Sequence, residues 1–193
     1  MKNPAEKKRV MNSEVKKYHP VAMLLHWLLA IAILAQSGLG KYMAEIPKGT
    51  PDRATFFNLH KSIGMVIALV VLYRLYIRLK HRPPELPAMP QWERIAATAS
   101  HHLLYLCMIL IPLSGYIGSN FTKYGVKFFG YPLPPWGAEN KAIYEVFNTT
   151  HIFCANLMLV IVFVHIIAAL KHRFIDKDSV LARMLPGGAT RDG

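Results

Sequence analysis

The sequence predicts an all-α integral membrane protein, built as a bundle of four helices. Its 193 residues are 53% hydrophobic, and the apolar residues are gathered into four long blocks. About 20 helical residues cross the hydrocarbon core of a bilayer, so each block has the length of one membrane span. Basic residues cluster around the ends of the blocks, as expected where helices leave the membrane.

The first two predicted spans run from about residue 20 to 40 and from about residue 58 to 79. A basic tail of residues 1–19 precedes the first span, Pro20 marks its beginning and Gly40 its end. No small-residue cleavage site follows this block, so we expect a retained helix and not a removed signal peptide. The second span stops at a run that is incompatible with a continuing helix, Lys80-His81-Arg82-Pro83-Pro84.

The third and fourth predicted spans run from about residue 98 to 119 and from about residue 149 to 170. Pro112 lies inside the third span, where we expect a kink. Residues 120–148 form the longest loop between spans. A second basic tail, residues 171–193, closes the chain, so residues 20–170 make one membrane domain.

The distribution of lysine and arginine predicts the orientation. The two tails and the region around the loop between spans two and three carry 16 of these residues, and the opposite side carries seven. Cytoplasmic loops carry the excess of basic residues in membrane proteins, so we expect both termini in the cytoplasm. Because the basic residues flank apolar spans, the net charge of +12 indicates contact with lipid headgroups and not with nucleic acid.

Two histidines on the fourth span suggest two stacked ligand sites. His151 and His165 are fourteen residues apart, which is about 21 Å along a helix axis. Fourteen steps of about 100° fall about 40° short of four turns, so both rings leave the same face. A histidine inside a membrane is costly and needs a partner.

Depth in the membrane predicts the partner of each histidine. His60, near the start of the second span, shares the outer depth of His151, and His26 in the first span matches the inner depth of His165. His101 and His102 also begin a span on the inner side, but they lie at its edge. We therefore pair His26 with His165 and keep His102 as the alternative ligand.

Pairs of imidazoles from different helices fit the two axial positions of a b-type haem. Zinc or copper would require further ligands, and no Asp or Glu lies in the interior of any span. Covalent c-type attachment needs a C-x-x-C-H motif, which Cys107 and Cys154 do not form. We expect a bundle with two haems between the helices; the alternative is that each histidine only forms a hydrogen bond with a neighbour.

Arg74 and Arg78 lie one turn apart near the inner end of the second span. They are candidates to bind haem propionates through charge-assisted hydrogen bonds. The alternative is that both side chains extend along the helix to reach the membrane surface.

At this point the sequence resembles the bacterial di-haem cytochrome b561 family, including its superoxide-oxidising members. The resemblance covers most of residues 18–186 and is specific as a set. The pieces that carry it are His26-Trp27, Asn58 to Gly64, Arg74 to Lys80, His102 to Tyr105, Pro112 to Gly115, His151, His165, Ala168 to Phe174, Lys177-Asp178 and Arg183 to Pro186.

The resemblance implies a protein of the bacterial inner membrane with two b haems held by the pairs named above. It also implies electron transfer between ubiquinone and a partner at the outer face, with superoxide oxidised to O₂ while ubiquinone is reduced. His172, which follows the fourth span close to the inner pair, is the candidate for binding the quinone. No residue is identified as catalytic.

The predicted outer side carries seven basic residues against four acidic ones. Such a surface would steer an anion such as superoxide, with Lys61, Lys123 and Lys127 as candidates, or dock an acidic periplasmic redox protein. The second reading is a generic quinone-linked cytochrome b, or a subunit that serves a protein partner. A membrane scaffold or metal transporter without redox activity is the alternative from a different class.

Overall fold

The computed structural model describes residues 17–85 and 87–186, so most of the N-terminal basic tail and residues 187–193 lie outside it. Four long helices dominate: α1 (Pro20–Glu45), α2 (Pro51–Lys80), α3 (Gln91–Asn120) and α4 (Lys141–Phe174). Each is long and apolar enough to cross a membrane. The predicted all-α class with four membrane-spanning helices is confirmed.

Each helix contains its predicted span and extends beyond it, and polar side chains satisfy the backbone at several of the ends. Gly40 lies inside α1, which continues to Glu45. The Arg53 guanidinium donates hydrogen bonds to the carbonyls of Met43 (3.2 Å), Ala44 (3.1 Å) and Ile46. These carbonyls have no partner within the helix, so Arg53 stabilises the last turn of α1.

The helix starts show why the loops are shorter than predicted. Proline fits the first turn of a helix, and Pro51 begins α2 behind Thr50, whose hydroxyl accepts from the Arg53 amide at 3.4 Å. At α4 the Asn140 side chain accepts from the Ile143 amide at 3.1 Å. The loop between α1 and α2 is thereby reduced to residues 46–50.

The bundle consists of two helical hairpins. α1 packs most closely on α2, and α3 on α4, with a smaller contact between α2 and α3. Cys107, Met158 and Ile161 form the buried core of the α3–α4 hairpin. α4 faces α1 and α2 across a more open region, which is where the intramembrane histidines lie.

Large apolar side chains cover the outside of the bundle. The exposed fraction reaches 68% at Leu24, 69% at Ile31, 67% at Leu69 and 65% at Phe163. So many exposed large apolar side chains are rare on soluble monomers and are expected where a helix contacts lipid tails. The protein is therefore a membrane protein.

A β-hairpin lies in the long loop between α3 and α4. Strand β1 (Lys127–Phe128) pairs antiparallel with β2 (Tyr131–Pro132), and Phe128 is opposite Tyr131. The turn residues Phe129 (φ 47°) and Gly130 (φ 92°) are both left-handed, as in a two-residue type I′ turn. We call this end of the bundle the outer end, following the predicted orientation.

The C-terminal segment, residues 175–186, folds back across the inner end instead of trailing away. It contains a short 3₁₀ helix, Ala182–Met184. The Trp27 indole donates to the Met184 carbonyl at 2.8 Å, and the Tyr18 amide donates to the Arg183 carbonyl at 3.3 Å. These bonds tie the segment to the beginning of α1.

Candidate functional site

The structure brings the four predicted histidines together in two pairs. At the outer end the rings of His60 on α2 and His151 on α4 have centroids 6.1 Å apart and planes inclined by 75°. At the inner end the rings of His26 on α1 and His165 on α4 have centroids 6.3 Å apart, inclined by 68°. Each pair therefore bridges the open region between the two helical hairpins.

The spacing of the paired rings fits an iron between them. An iron bound by two imidazoles needs ring centroids about 6 Å apart, since each metal–nitrogen bond is about 2 Å and each nitrogen stands roughly 1 Å from its ring centroid. A closed zinc site would need four ligands. Among residues 17–85 and 87–186, the one cluster of three metal-ligating side chains lies elsewhere, at Glu93, His172 and Asp176. The donor set at each pair suits haem, which supplies four ligands of its own.

Glycines seat both rings of the outer pair. A β-carbon on Gly40 of α1 would stand 3.1 Å from Cε1 of His60, and one on Gly115 of α3 would stand 2.9 Å from Nδ1 of His151. Real β-carbons essentially never approach another atom as closely as 2.9 Å, and an approach of 3.1 Å is tighter than most real contacts. Each ring therefore lies directly against the backbone of a neighbouring helix, which larger residues would prevent.

A backbone carbonyl orients His151. Its Nδ1 atom is 2.8 Å from the Ile111 carbonyl of α3, just before Pro112. If Nδ1 carries the proton that this bond requires, Nε2 is left as the free ligand atom. Hydrogen bonding from the second nitrogen to a carbonyl is the usual way in which a metal-binding histidine is fixed.

The partner ring is held less directly. The Gln36 side chain donates to the His60 carbonyl at 2.6 Å and so supports the backbone at this point of α2. Nδ1 of His60 and Oε1 of Gln36 are both buried without a hydrogen-bond partner in the described part of the chain. Buried polar atoms normally have hydrogen-bond partners. These two atoms are therefore available to bind a group placed beside the outer pair.

The inner pair has a third histidine beside it, and it is His101. The His101 and His165 rings have centroids 5.5 Å apart, and Nδ1 of His101 is 2.6 Å from the Ala97 carbonyl. His102, which the sequence analysis kept as the alternative ligand, is exposed. Adjacent residues on a helix point about 100° apart, so only one of the two can face the bundle.

Arg74 and Arg78 line a pocket at the inner end. Arg74 is 9% exposed and donates to the Ala22 carbonyl at 2.9 Å, so its side chain does not extend to the membrane surface. The Arg78 guanidinium lies 5.6 Å from the centroid of the Tyr105 ring. The Tyr105 hydroxyl and Nδ1 of His19, which line the same pocket, are buried without partners among the described residues. None of the described residues that line this pocket carries a carboxylate, so the pocket suits acidic groups such as haem propionates.

Two polar side chains next to His60 attach the β-hairpin and the loop before it to α2. The Ser62 hydroxyl is fully buried, donates to the Asn58 carbonyl at 2.8 Å and accepts from the Phe129 amide at 2.8 Å. The Lys61 ammonium donates to the Gly125 carbonyl at 2.9 Å. Sequence reasoning missed this role, although polar residues three and four positions after Asn58 share one face of the helix.

The three lysines predicted to attract an anion differ in setting. Lys123 and Lys127 are exposed, and the Lys123 ammonium lies 5.2 Å from the Tyr124 ring centroid. Lys61 is partly buried beneath the hairpin. Lys61 therefore has a structural role that the other two lack.

His172 lies on the same face of α4 as His165. Seven residues separate them, and seven steps of about 100° fall only about 20° short of two turns. Nδ1 of His172 is 2.7 Å from Oδ2 of Asp178 and 3.3 Å from Oδ2 of Asp176. His172 was predicted from the sequence as a functional residue, but its carboxylate partners were not.

Comparisons with known proteins all indicate similarity to bacterial b-type cytochromes. Residues 17–187 match the family described as prokaryotic cytochrome b561. Cytochrome b561 homolog 2 of Escherichia coli K12 is 33% identical over 174 residues, which is 88% of this chain and 92% of that protein. Cytochrome b561 homolog 1 of the same organism is 25% identical over 173 residues, covering 89% and 98%. A Yersinia pestis protein named "Probable superoxide oxidase CybB" is 26% identical over 178 residues, covering 89% and 97%.

Proposed function

The chain belongs to the prokaryotic cytochrome b561 family, and we propose that it transfers electrons from superoxide at the outer face to ubiquinone in the membrane. The family makes it a membrane electron carrier with b-type haem. The observation that carries the proposal is the arrangement of two histidine pairs, one toward each end of the predicted span 149–170 within α4. A bound haem would supply an iron that takes up or releases one electron.

We assign one b haem to each pair. His60 and His151 would hold the outer haem, and His26 and His165 the inner haem. The two α4 histidines stand about 21 Å apart along the helix axis and on one face, so they support a route across most of the bilayer. Arg74 and Arg78 would neutralise the propionates of the inner haem, and the unpartnered Tyr105 hydroxyl would donate to them.

The charge of the outer loop favours a small anion as the donor. The stretch from Phe121 to Trp136 contains Lys123 and Lys127 and no Asp or Glu. A surface of one sign raises the rate at which an oppositely charged substrate arrives. Two superoxide anions would each lose one electron to become O₂, and one ubiquinone would take up both electrons with two protons. The Yersinia relative named as a superoxide oxidase supports this assignment.

The quinone would bind at the inner end. It reaches the protein through lipid and needs polar groups for its carbonyl oxygens, and His172 is such a group on the face of α4 that carries His165. The predicted orientation puts this end, together with both termini, on the cytoplasmic side of the inner membrane.

The test is stopped-flow reduction of the haems by superoxide at low and high salt. Lys123→Gln and Lys127→Gln together should slow the reaction at low salt while both haem spectra stay intact. The effect should shrink at high salt, because charge is screened over about 8 Å at physiological ionic strength. Replacing Lys17 and Lys80 by Gln removes the same charge from the inner end and should have no effect. If superoxide does not reduce the wild-type haems, the assignment of the donor is wrong.

A protein electron donor is the second candidate. The hairpin presents three exposed aromatic side chains beside the outer pair, with exposed fractions of 40% at Phe128, 58% at Phe129 and 75% at Tyr131. Aromatic residues are enriched at protein interfaces. If superoxide fails in the stopped-flow test, replacing Phe129 and Tyr131 by Ser should reduce electron transfer from a periplasmic redox protein.

A further inference from the structure

We propose that His172 is the proton donor to the bound quinone and that Asp178 is the residue that positions it. This inference rests on the proposed function, since it assumes that quinone is reduced at the inner end of α4. Reduction of a quinone forms two O–H bonds, and the haems can supply only the electrons. A proton source must therefore lie beside the quinone.

The bonding of His172 leaves one ring nitrogen available. Nδ1 is 2.7 Å from Asp178, while Nε2 makes no hydrogen bond within the described part of the chain. The His172 side chain is only 12% exposed. A carboxylate on Nδ1 keeps a proton on that nitrogen, so the ring can hold a second proton on Nε2 and release it.

The turn that follows α4 fixes the Asp178 carboxylate. Its Oδ1 accepts from the Val180 amide at 2.9 Å, and its own amide donates to the His172 carbonyl at 3.1 Å. Oδ2 is thereby directed to the imidazole. The arrangement resembles the carboxylate–histidine pair of hydrolases, in which the carboxylate sets the tautomer and orientation of the ring.

Asp178 is the nearer of the two carboxylates at Nδ1 of His172, at 2.7 Å against 3.3 Å for Asp176, and Asp176 is also paired with Lys171. The Lys171 ammonium is 2.7 Å from Asp176 and 2.8 Å from Glu93, so it forms an ion pair with each of these carboxylates. Asp178 forms no ion pair with Lys171, and its one side-chain partner among the described residues is His172.

In the proposed step the N–H bond at Nε2 of His172 breaks and an O–H bond forms on the reduced quinone. The electron comes through the inner pair, and the cation on the ring is paired with the Asp178 carboxylate until the proton leaves. Water at the inner face then returns a proton to Nε2. The step occurs twice for each quinone.

The experiment is reoxidation of the fully loaded protein by a ubiquinone with one isoprenoid unit. The haems are reduced beforehand with dithionite, and their oxidation is followed anaerobically in H₂O and in D₂O. Asp178→Asn keeps an oxygen for the Val180 amide but loses the carboxylate. We expect its limiting rate to fall about tenfold or more, within the range of general acid catalysis. The quinone concentration for half-maximal rate should stay unchanged, and D₂O should slow the variant more than the wild type.

Two comparisons make the result specific. Asp178→Glu should restore most of the rate, and Glu93→Gln, which breaks a bond to Lys171 and none to His172, should behave as wild type. If Asp178→Asn reoxidises at the wild-type rate, or loses rate without a larger solvent isotope effect, the inference is overturned. If quinone does not oxidise the wild-type haems, the quinone part of the proposed function fails and the inference with it.

Discussion

The Cε1 atom of His60 lies 3.1 Å from the position that a β-carbon on Gly40 would occupy. The His60 ring therefore packs against the backbone of α1 at this glycine. Gly38, two residues earlier on the same helix, has nothing within 4 Å of the corresponding position. Substituting each of the two glycines therefore tests whether the packing of the His60 ring against α1 affects the outer haem site.

Gly40→Ala should disturb the outer haem, and Gly38→Ala should not. The added methyl group requires the His60 ring to shift by a few tenths of an ångström. Overpacking of this kind costs about 1–3 kcal/mol. We expect Gly40→Ala to shift the electron paramagnetic resonance signal and the midpoint potential of one haem. The other haem should be unchanged. Equal spectra for Gly40→Ala and Gly38→Ala would show that the contact does not constrain the ligand.

Replacing the ligands should divide the histidines into two classes. His60→Ala and His151→Ala should each lose one haem and give the same residual spectrum, while His26→Ala and His165→Ala should both lose the other. The reason is that each pair bridges a different end of α4. The spectra of the reduced variants would show this directly.

His101 provides the control at the inner end. It lies closer to His165 than His26 does, by ring centroids, but its Nδ1 is bonded to its own helix. We expect His101→Ala to retain both haems. Loss of the inner bis-histidine spectrum in His101→Ala, with retention in His26→Ala, would reverse the assignment.

Depth and helical spacing predicted that His60 lies near His151 and that His26 lies near His165, and the structure places these rings close together. That each pair holds a haem stays a prediction. His151 and His165 share one face because fourteen residues nearly complete four turns, and this holds in any straight helix. Topology then left one candidate at the outer depth, His60. The choice at the inner edge needed coordinates, since neither spacing nor depth tells which of two adjacent histidines, His101 or His102, turns inward.

The supporting contacts were much less accessible to sequence reasoning. Gly40 was interpreted as the end of a helix, because a glycine after an apolar run commonly is one. Its actual role depends on how close α1 comes to α2, which is a tertiary property. The same applies to Asp178, whose carboxylate meets His172 only because the chain turns back after Phe174.

Ser62→Ala should loosen the β-hairpin over the outer pair. The substitution removes the acceptor of the Phe129 amide, and a buried donor without a partner costs about 1–3 kcal/mol. Limited proteolysis of the loop between α3 and α4 should therefore become faster. Ser114→Ala is the matched control: that serine is also buried, but its hydroxyl bonds only to carbonyls of its own helix, Leu110 and Ile111. Equal cleavage rates in the two variants would show that Ser62 does not hold the β-hairpin on α2.

The most direct test of the whole account is the number of haems per chain. The measurement is the pyridine haemochrome of the purified, fully loaded protein, divided by the amount of chain from amino-acid analysis. The account predicts two b haems for each chain, both extracted by acidified organic solvent because no covalent attachment motif is present. One haem per chain, or none, would contradict it.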